Sequence, residues 1–171
     1  AKVAAGGHVR GVNAKGCGDY TRKQIDELAA FVQELGAKGL ATIVLPKEAE
    51  MRSSFAKFLP EERIQAIMSR MEAEKGDLLL FVADKPAVTF ETLGRLRVFL
   101  GDRHNLRDPD VLAFCWVVDF PFFEKDENNK WTFTHNPFSA PKPEFLKDLL
   151  AKKNIKNILT SQYDIVLNGF E

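Results

Sequence analysis

Apolar residues in the first hundred positions recur in two rhythms, which predict strands alternating with helices. VRGVN at 9–13 is a short alternating strand, and the Gly-rich turn KGCGD follows it. Thr21 then opens a helix, with Gln24 three residues on to complete a capping box. Ile25, Leu28, Ala29, Val32 and Leu35 fall on one face at helical spacing, and Gly36 ends the helix. LATIVL at 40–45 reads as a buried strand stopped by Pro46. The polar loop KEAEMRSS leads to FAKFL, and Pro60 starts a second helix to about Met71. Its core face is Ile64, Ile67, Met68 and Met71. Gly76 and Asp77 punctuate, and LLLFVA at 78–83 is a second buried strand. A third helix runs from about Ala87 to Leu100, with Leu93, Leu96 and Leu100 inward, and Gly101 closes it. Such alternation implies a sheet covered by helices.

The texture changes after about Leu106, where RDPD signals a turn and a boundary. LAFCWVVD at 112–119 is a strongly apolar strand that Pro121 ends, KDENNK is a polar turn, and WTFT is the strand returning from it as a hairpin. HNPFSAPKP is irregular because its prolines forbid regular structure. A helix from about Glu144 to Lys152 and a last strand, YDIVLNGFE, complete the pattern. The fold class is therefore α+β, with an insert-like unit over 1–105 and an incomplete antiparallel region over 106–171.

Composition changes this picture little. Hydrophobic content of 45% and charged content of 28% are ordinary for a globular chain, and 14 Phe residues promise a filled core. Lys+Arg and Asp+Glu are both 24, so no whole-chain electrostatic argument for nucleic-acid binding exists. Cys17 and Cys115 lie far apart and offer neither a disulfide framework nor zinc spacing, which favours a reducing compartment. No apolar run approaches a membrane span, and AKVAAGGHV lacks the order of a signal peptide.

Candidate chemistry is sparse. His8, His104 and His135 are scattered, and none pairs with another His or with Cys at ligand spacing. No phosphate-cradling Gly-rich string occurs. His135 sits beside Asn136 and Phe138 in the Pro-rich loop, either as a solvated loop histidine or as part of a small polar site. Asp164 and Glu171 flank IVLNGF, seven residues apart, so in a regular strand they face opposite sides. A bulge at Asn168-Gly169 would return them to one face, where two carboxylates suit Mg²⁺ against nucleotide phosphates. Two solvated strand-end carboxylates are the plainer alternative.

Two sets of strings carry a family resemblance. TRKQIDEL, GAKGLA, FAKFL, GDLLLFVAD and LGRLR resemble the GAD domain, a sheet-and-helix insertion expected to be two-layered. WVVDFPFFE, HNPFSAP and YDIVLNGFE resemble the class II catalytic segment that follows that insertion in bacterial-type aspartyl-tRNA synthetases. The resemblance implies ATP-dependent activation of aspartate with Mg²⁺, then transfer to tRNA, in a cytoplasmic, homodimeric parent enzyme with no membrane or DNA partner. It implies that His135 contacts aspartate, that Asn136 stands on the ATP side where the family has a second His, and that Asp164 and Glu171 serve ATP and Mg²⁺. Ser139 stands where the family has Thr. The resemblance further implies a fragment, inactive alone because it lacks the family's ATP-clamping Arg, a reading that the missing initiator Met also fits. Two other classes follow from the same residues. One is a stand-alone tRNA- or protein-binding GAD module, and the other is a small independent enzyme using His135, Asp164 and Glu171.

Overall fold

The uninterrupted apolar run LLLFVA lies at the centre of a four-stranded antiparallel sheet. In the computed structural model, which describes residues 3–135 and 139–170, the chain forms two units, Ala1–Arg107 and Asp108–Glu171. The first holds strands β1 (His8–Ala14), β2 (Ala41–Val44), β3 (Arg52–Ser53) and β4 (Leu78–Asp84), in the order β1-β4-β2-β3. Every ladder is antiparallel, with Gly11 opposite Phe81 and Ile43 opposite Leu79.

The sheet is covered on both faces. Leu78, Leu80 and Val82 alternate with Leu79 and Phe81 along β4, so the two sets point to opposite sides. The first set packs with Leu28 and Val32 of helix α1 (Arg22–Glu34) and with Leu93, Leu96 and Leu100 of helix α3 (Pro86–Arg103). The second packs with Ile67 and Met68 of helix α2 (Glu61–Arg70), with Met71 just beyond it, and with Phe55. The unit therefore has a third layer beyond the two expected. A strand apolar at consecutive positions leaves one set of side chains in water unless both faces are covered.

Local signals explain the helix ends. Thr21 accepts a hydrogen bond from the Gln24 backbone N–H, and Gln24 Oε1 accepts one from the Thr21 backbone N–H, which completes the capping box. Gly36, at φ +91°, ends α1, with the Ala37 N–H donating to the Val32 carbonyl. Gly101 does not close α3. The helix continues to Arg103, Asn105 takes the left-handed conformation at φ +52°, and the Leu106 N–H donates back to the Gly101 carbonyl. Asx residues tolerate that conformation, so the stop moves to Asn105.

Asp77 knots the loops at one end of this sheet. Its carboxylate accepts from the backbone N–H of Gly16 at 3.1 Å and of Glu74 at 3.0 Å, and from Asn13 Nδ2 and Lys15 Nζ, each at 3.1 Å.

Among the described residues the second unit contains two two-stranded ladders. Strand β5 (Phe114–Val118) pairs with β8 (Tyr163–Leu167), and β6 (Phe123–Lys125) pairs with β7 (Trp131–Phe133). The hairpin therefore joins β7 to β6, not to the apolar strand before Pro121. Asp119, at φ +64°, and Pro121 break that strand, and its partner lies some fifty residues on. The helix expected over about 144–152 is a 3-10 turn at Pro143–Phe145 followed by α4 (Leu146–Leu150). Asn168 and Gly169, at φ +51° and +88°, form a tight two-residue turn closed by reciprocal backbone hydrogen bonds between Leu167 and Phe170. That is the hairpin turn an Asn-Gly pair favours, and it reverses the chain where a bulge was expected.

Candidate functional site

Residues 158–164 form the spine of the second unit. On one side the Phe122 N–H donates to the Ile158 carbonyl and the Thr160 N–H to the Phe120 carbonyl, each at 2.8 Å. On the other side the Lys142 N–H donates to the Leu159 carbonyl and the Ser161 N–H to the Ala140 carbonyl, each at 2.9 Å. Ile158 and Thr160 are buried at the centre. An irregular three-stranded platform results.

His135 is exposed, and its ring meets the Phe120 ring edge-on at 4.7 Å between centroids. The preceding Thr134 is tied to the platform by its N–H to the Phe122 carbonyl. Asp164 is half-buried in β8 opposite Val117, on the face of that strand shared with buried Val166. His135 and Asp164 thus lie in one unit, but among the described residues no hydrogen bond or ion pair joins them. Asn136 and Glu171 lie outside the described residues. Asp164 supplies a hard oxygen of the kind Mg²⁺ accepts. Among the described residues no group of three or more His, Cys, Asp or Glu side chains is gathered for a metal ion.

The other face of the β5–β8 pair is apolar. Register places Phe114, Trp116 and Val118 beside Leu167, Ile165 and Tyr163. Trp116 and Phe114 are each 61% exposed and Tyr163 is 65% exposed. Trp116 and Tyr163 stand edge to face at 5.4 Å.

The first unit holds a cluster that sequence reasoning missed. Cys17 and His104, 87 positions apart, come together with Sγ 3.2 Å from Nε2. Tyr20 Oη lies 2.6 Å from the same nitrogen, and the Arg103 guanidinium lies over the Tyr20 ring while pairing with Glu27. Burial pushes the Cys17 thiol up, against the lowering influence of a hydrogen bond with Tyr20. It is therefore a neutral thiol and not an activated nucleophile. The cluster ties the loop before α1 to the end of α3. No local spacing signals it, because the pairing is made by the fold.

An open groove of about 740 Å³ runs along α1 and α3, lined by Phe31, Phe90, Gly94, Val98 and Phe99. Its rim charges are engaged already, Glu91 with Arg95 and Asp102 with Arg107. No helix among the described residues is long and apolar enough to cross a membrane.

Comparison with known proteins adds the following. Residues 1–93 match the family model described as GAD domain. The chain is 51% identical to the aspartate–tRNA(Asp/Asn) ligase of Symbiobacterium thermophilum, over 99% of this chain and 29% of that protein. It is 50% identical to the aspartate–tRNA(Asp/Asn) ligase of Heliobacterium modesticaldum, over 99% of this chain and 28% of that protein. It is 45% identical to the aspartate–tRNA ligase of Ruminiclostridium cellulolyticum, over the same shares. The chain spans less than a third of the length of these relatives.

Proposed function

The chain belongs to the GAD domain family, and from that premise we propose that it works as part of an aspartate–tRNA ligase. In that enzyme ATP and aspartate form aspartyl-adenylate and pyrophosphate, and the aspartyl group then passes to tRNA. The observation that carries this reading is identity of 45–51% over 99% of the chain, which continues well past the GAD match into the second unit.

On this reading residues 1–105 are the GAD insertion and residues 106–171 are part of a class II catalytic segment. His135 contacts the substrate aspartate through its exposed imidazole. Asp164 supplies one oxygen to a Mg²⁺ held against ATP phosphates, and Glu171 is assigned the second, with Asn136 on the ATP side. Two carboxylates leave most of a Mg²⁺ shell to phosphate and water oxygens, so the ion comes with the nucleotide. The exposed apolar face around Phe114, Trp116 and Tyr163 supports the reading, since a face of that kind is expected to be covered within a larger catalytic domain. The enzyme is proposed to be cytoplasmic and homodimeric.

Adenylate formation needs preorganised positive charge at the α-phosphate. Residues 108–171 contain no Arg to supply a guanidinium there, and Lys142 is committed to Asp119. The 171-residue chain by itself is therefore expected to form no adenylate. Calorimetric titration with ATP–Mg²⁺ and an ATP–pyrophosphate exchange assay test this. Aspartate-dependent exchange by the chain alone would overturn the assignment of this segment as an incomplete site, and exchange by the whole ligase is the required positive result.

A further inference from the structure

A loop presents a binding group reproducibly only when both of its ends are fixed. The two ends flanking residues 136–138 are fixed to the same short stretch of backbone. On the first side, Thr134 donates to the Phe122 carbonyl and the His135 ring rests on Phe120. On the second side, Ser139 Oγ donates to Gln162 Oε1 at 2.9 Å, and Lys142 Nζ forms an ion pair with Asp119 Oδ1. Asp119 immediately precedes Phe120, and Gln162 lies in the spine to which residues 120–122 are bonded. Both ends thus take their position from residues 119–122 and the neighbouring spine.

Asp119 adopts the left-handed backbone conformation at φ +64°. Asp is among the residues that tolerate that conformation. The Lys142 contact is a side-chain tether that the residue makes from there. Chemical type agrees with a positioning task. A serine hydroxyl and a side-chain amide make one directional bond, and a half-exposed ion pair contributes little to stability while fixing a geometry.

We propose that Ser139–Gln162 and Asp119–Lys142 are positioning pairs, which hold the His135 imidazole against Phe120 so that it meets the carboxylate-bearing amino-acid substrate. This rests on the reading of the segment as the aspartate site of a ligase. None of the four residues touches the reacting atoms; each acts through His135.

The first test uses the 171-residue chain and the double variant Ser139→Ala/Lys142→Met. His135 ring protons are observed by NMR, with Phe120→Leu defining the spectrum without the ring contact. The double variant is expected to move the His135 signals toward the Phe120→Leu positions, while the β5–β8 amide signals stay put. Unmoved His135 signals in a folded double variant overturn the proposal. The second test uses the whole ligase that carries this segment. The double variant is expected to raise the aspartate KM about tenfold, with kcat and the ATP KM unchanged, because ground-state and transition-state binding are lost together. Ser139→Thr, which keeps the hydroxyl, is expected to retain the wild-type KM. If His135→Ala raises the aspartate KM and the double variant does not, the positioning pairs are refuted and the site reading stands. If His135→Ala leaves that KM unchanged, the proposal falls together with the reading beneath it.

Discussion

Asp77 is a buried carboxylate, 4% exposed, held in the ionised form. Burial pushes its pKa upward, but hydrogen bonds from the Glu74 backbone, Asn13, the Gly16 backbone and Lys15 outweigh burial and leave it below the usual carboxylate value. A depressed folded pKa adds stability that is fully present above the unfolded value, about 3.9, and is lost as pH falls through the lower folded value. Asp77→Asn is therefore expected to lower stability at neutral pH and to flatten its decline below about pH 4. Asp77→Ala, which orphans two backbone N–H groups, is expected to cost about 1–3 kcal/mol. Urea unfolding at pH 7 and pH 3 checks both, and an unchanged acid slope in Asp77→Asn sinks the assignment. Sequence marked Asp77 only as punctuation beside Gly76, because its donors come from residues 13–16 and 74, which are brought together by the fold. Cys17 and His104 were illegible for the same reason. His135 and Asp164 drew notice in the sequence because each sits inside a string that carries the family resemblance, but the strings do not say how the two are spaced in the unit.

Helix α1 and helix α3 end by the same device with different residues, and this separates what a string reveals from what it hides. Each has a left-handed residue after the last turn and a backbone N–H returning to a carbonyl five residues back, Ala37 to Val32 and Leu106 to Gly101. In α1 the left-handed residue is Gly36, so the stop was readable. In α3 it is Asn105, and Gly101, which looked like the stop, lies inside the helix with open space where a side chain would go. The two glycines should then respond oppositely to alanine. Gly36→Ala forces a side chain into φ +91° and is expected to destabilise by about 1–2 kcal/mol. Gly101→Ala improves helix propensity and is expected to stabilise by about 0.5–1 kcal/mol. Thermal unfolding of the two variants decides it, and loss of stability in Gly101→Ala would return the stop to that position. Strand partners were harder to read than helix ends. The apolar strand β5 and the strand β8 both announced themselves, yet their pairing spans about fifty positions, and the nearer WTFT segment was an equally good partner by pattern alone.

The two units differ in how their apolar surface is disposed. In Ala1–Arg107 both faces of the sheet are covered, and Leu78, Leu79, Leu80 and Val82 are fully buried. In Asp108–Glu171 the β5–β8 pair turns Phe114, Trp116, Val118, Tyr163 and Ile165 to solvent on one face. A two-stranded ladder is marginal without further cover, and a contiguous apolar patch of this kind drives association. Isolated in solution, the chain is therefore expected to self-associate as concentration rises, through the second unit. Charge placed at the centre of the patch opposes this by desolvation. Trp116→Lys and Ile165→Lys, which occupy paired positions, should each shift the monomer–oligomer balance toward monomer by at least about tenfold, roughly 1.4 kcal/mol. Val9→Lys, an exposed apolar position of the first unit, should leave the balance unchanged. Sedimentation equilibrium over a wide concentration range measures all three. A wild-type chain that stays monomeric at the highest concentration would mean that the face is stable in water and needs no cover. An equal response to Val9→Lys would move the contact to the first unit and remove the support that the apolar face lends to the catalytic-segment reading.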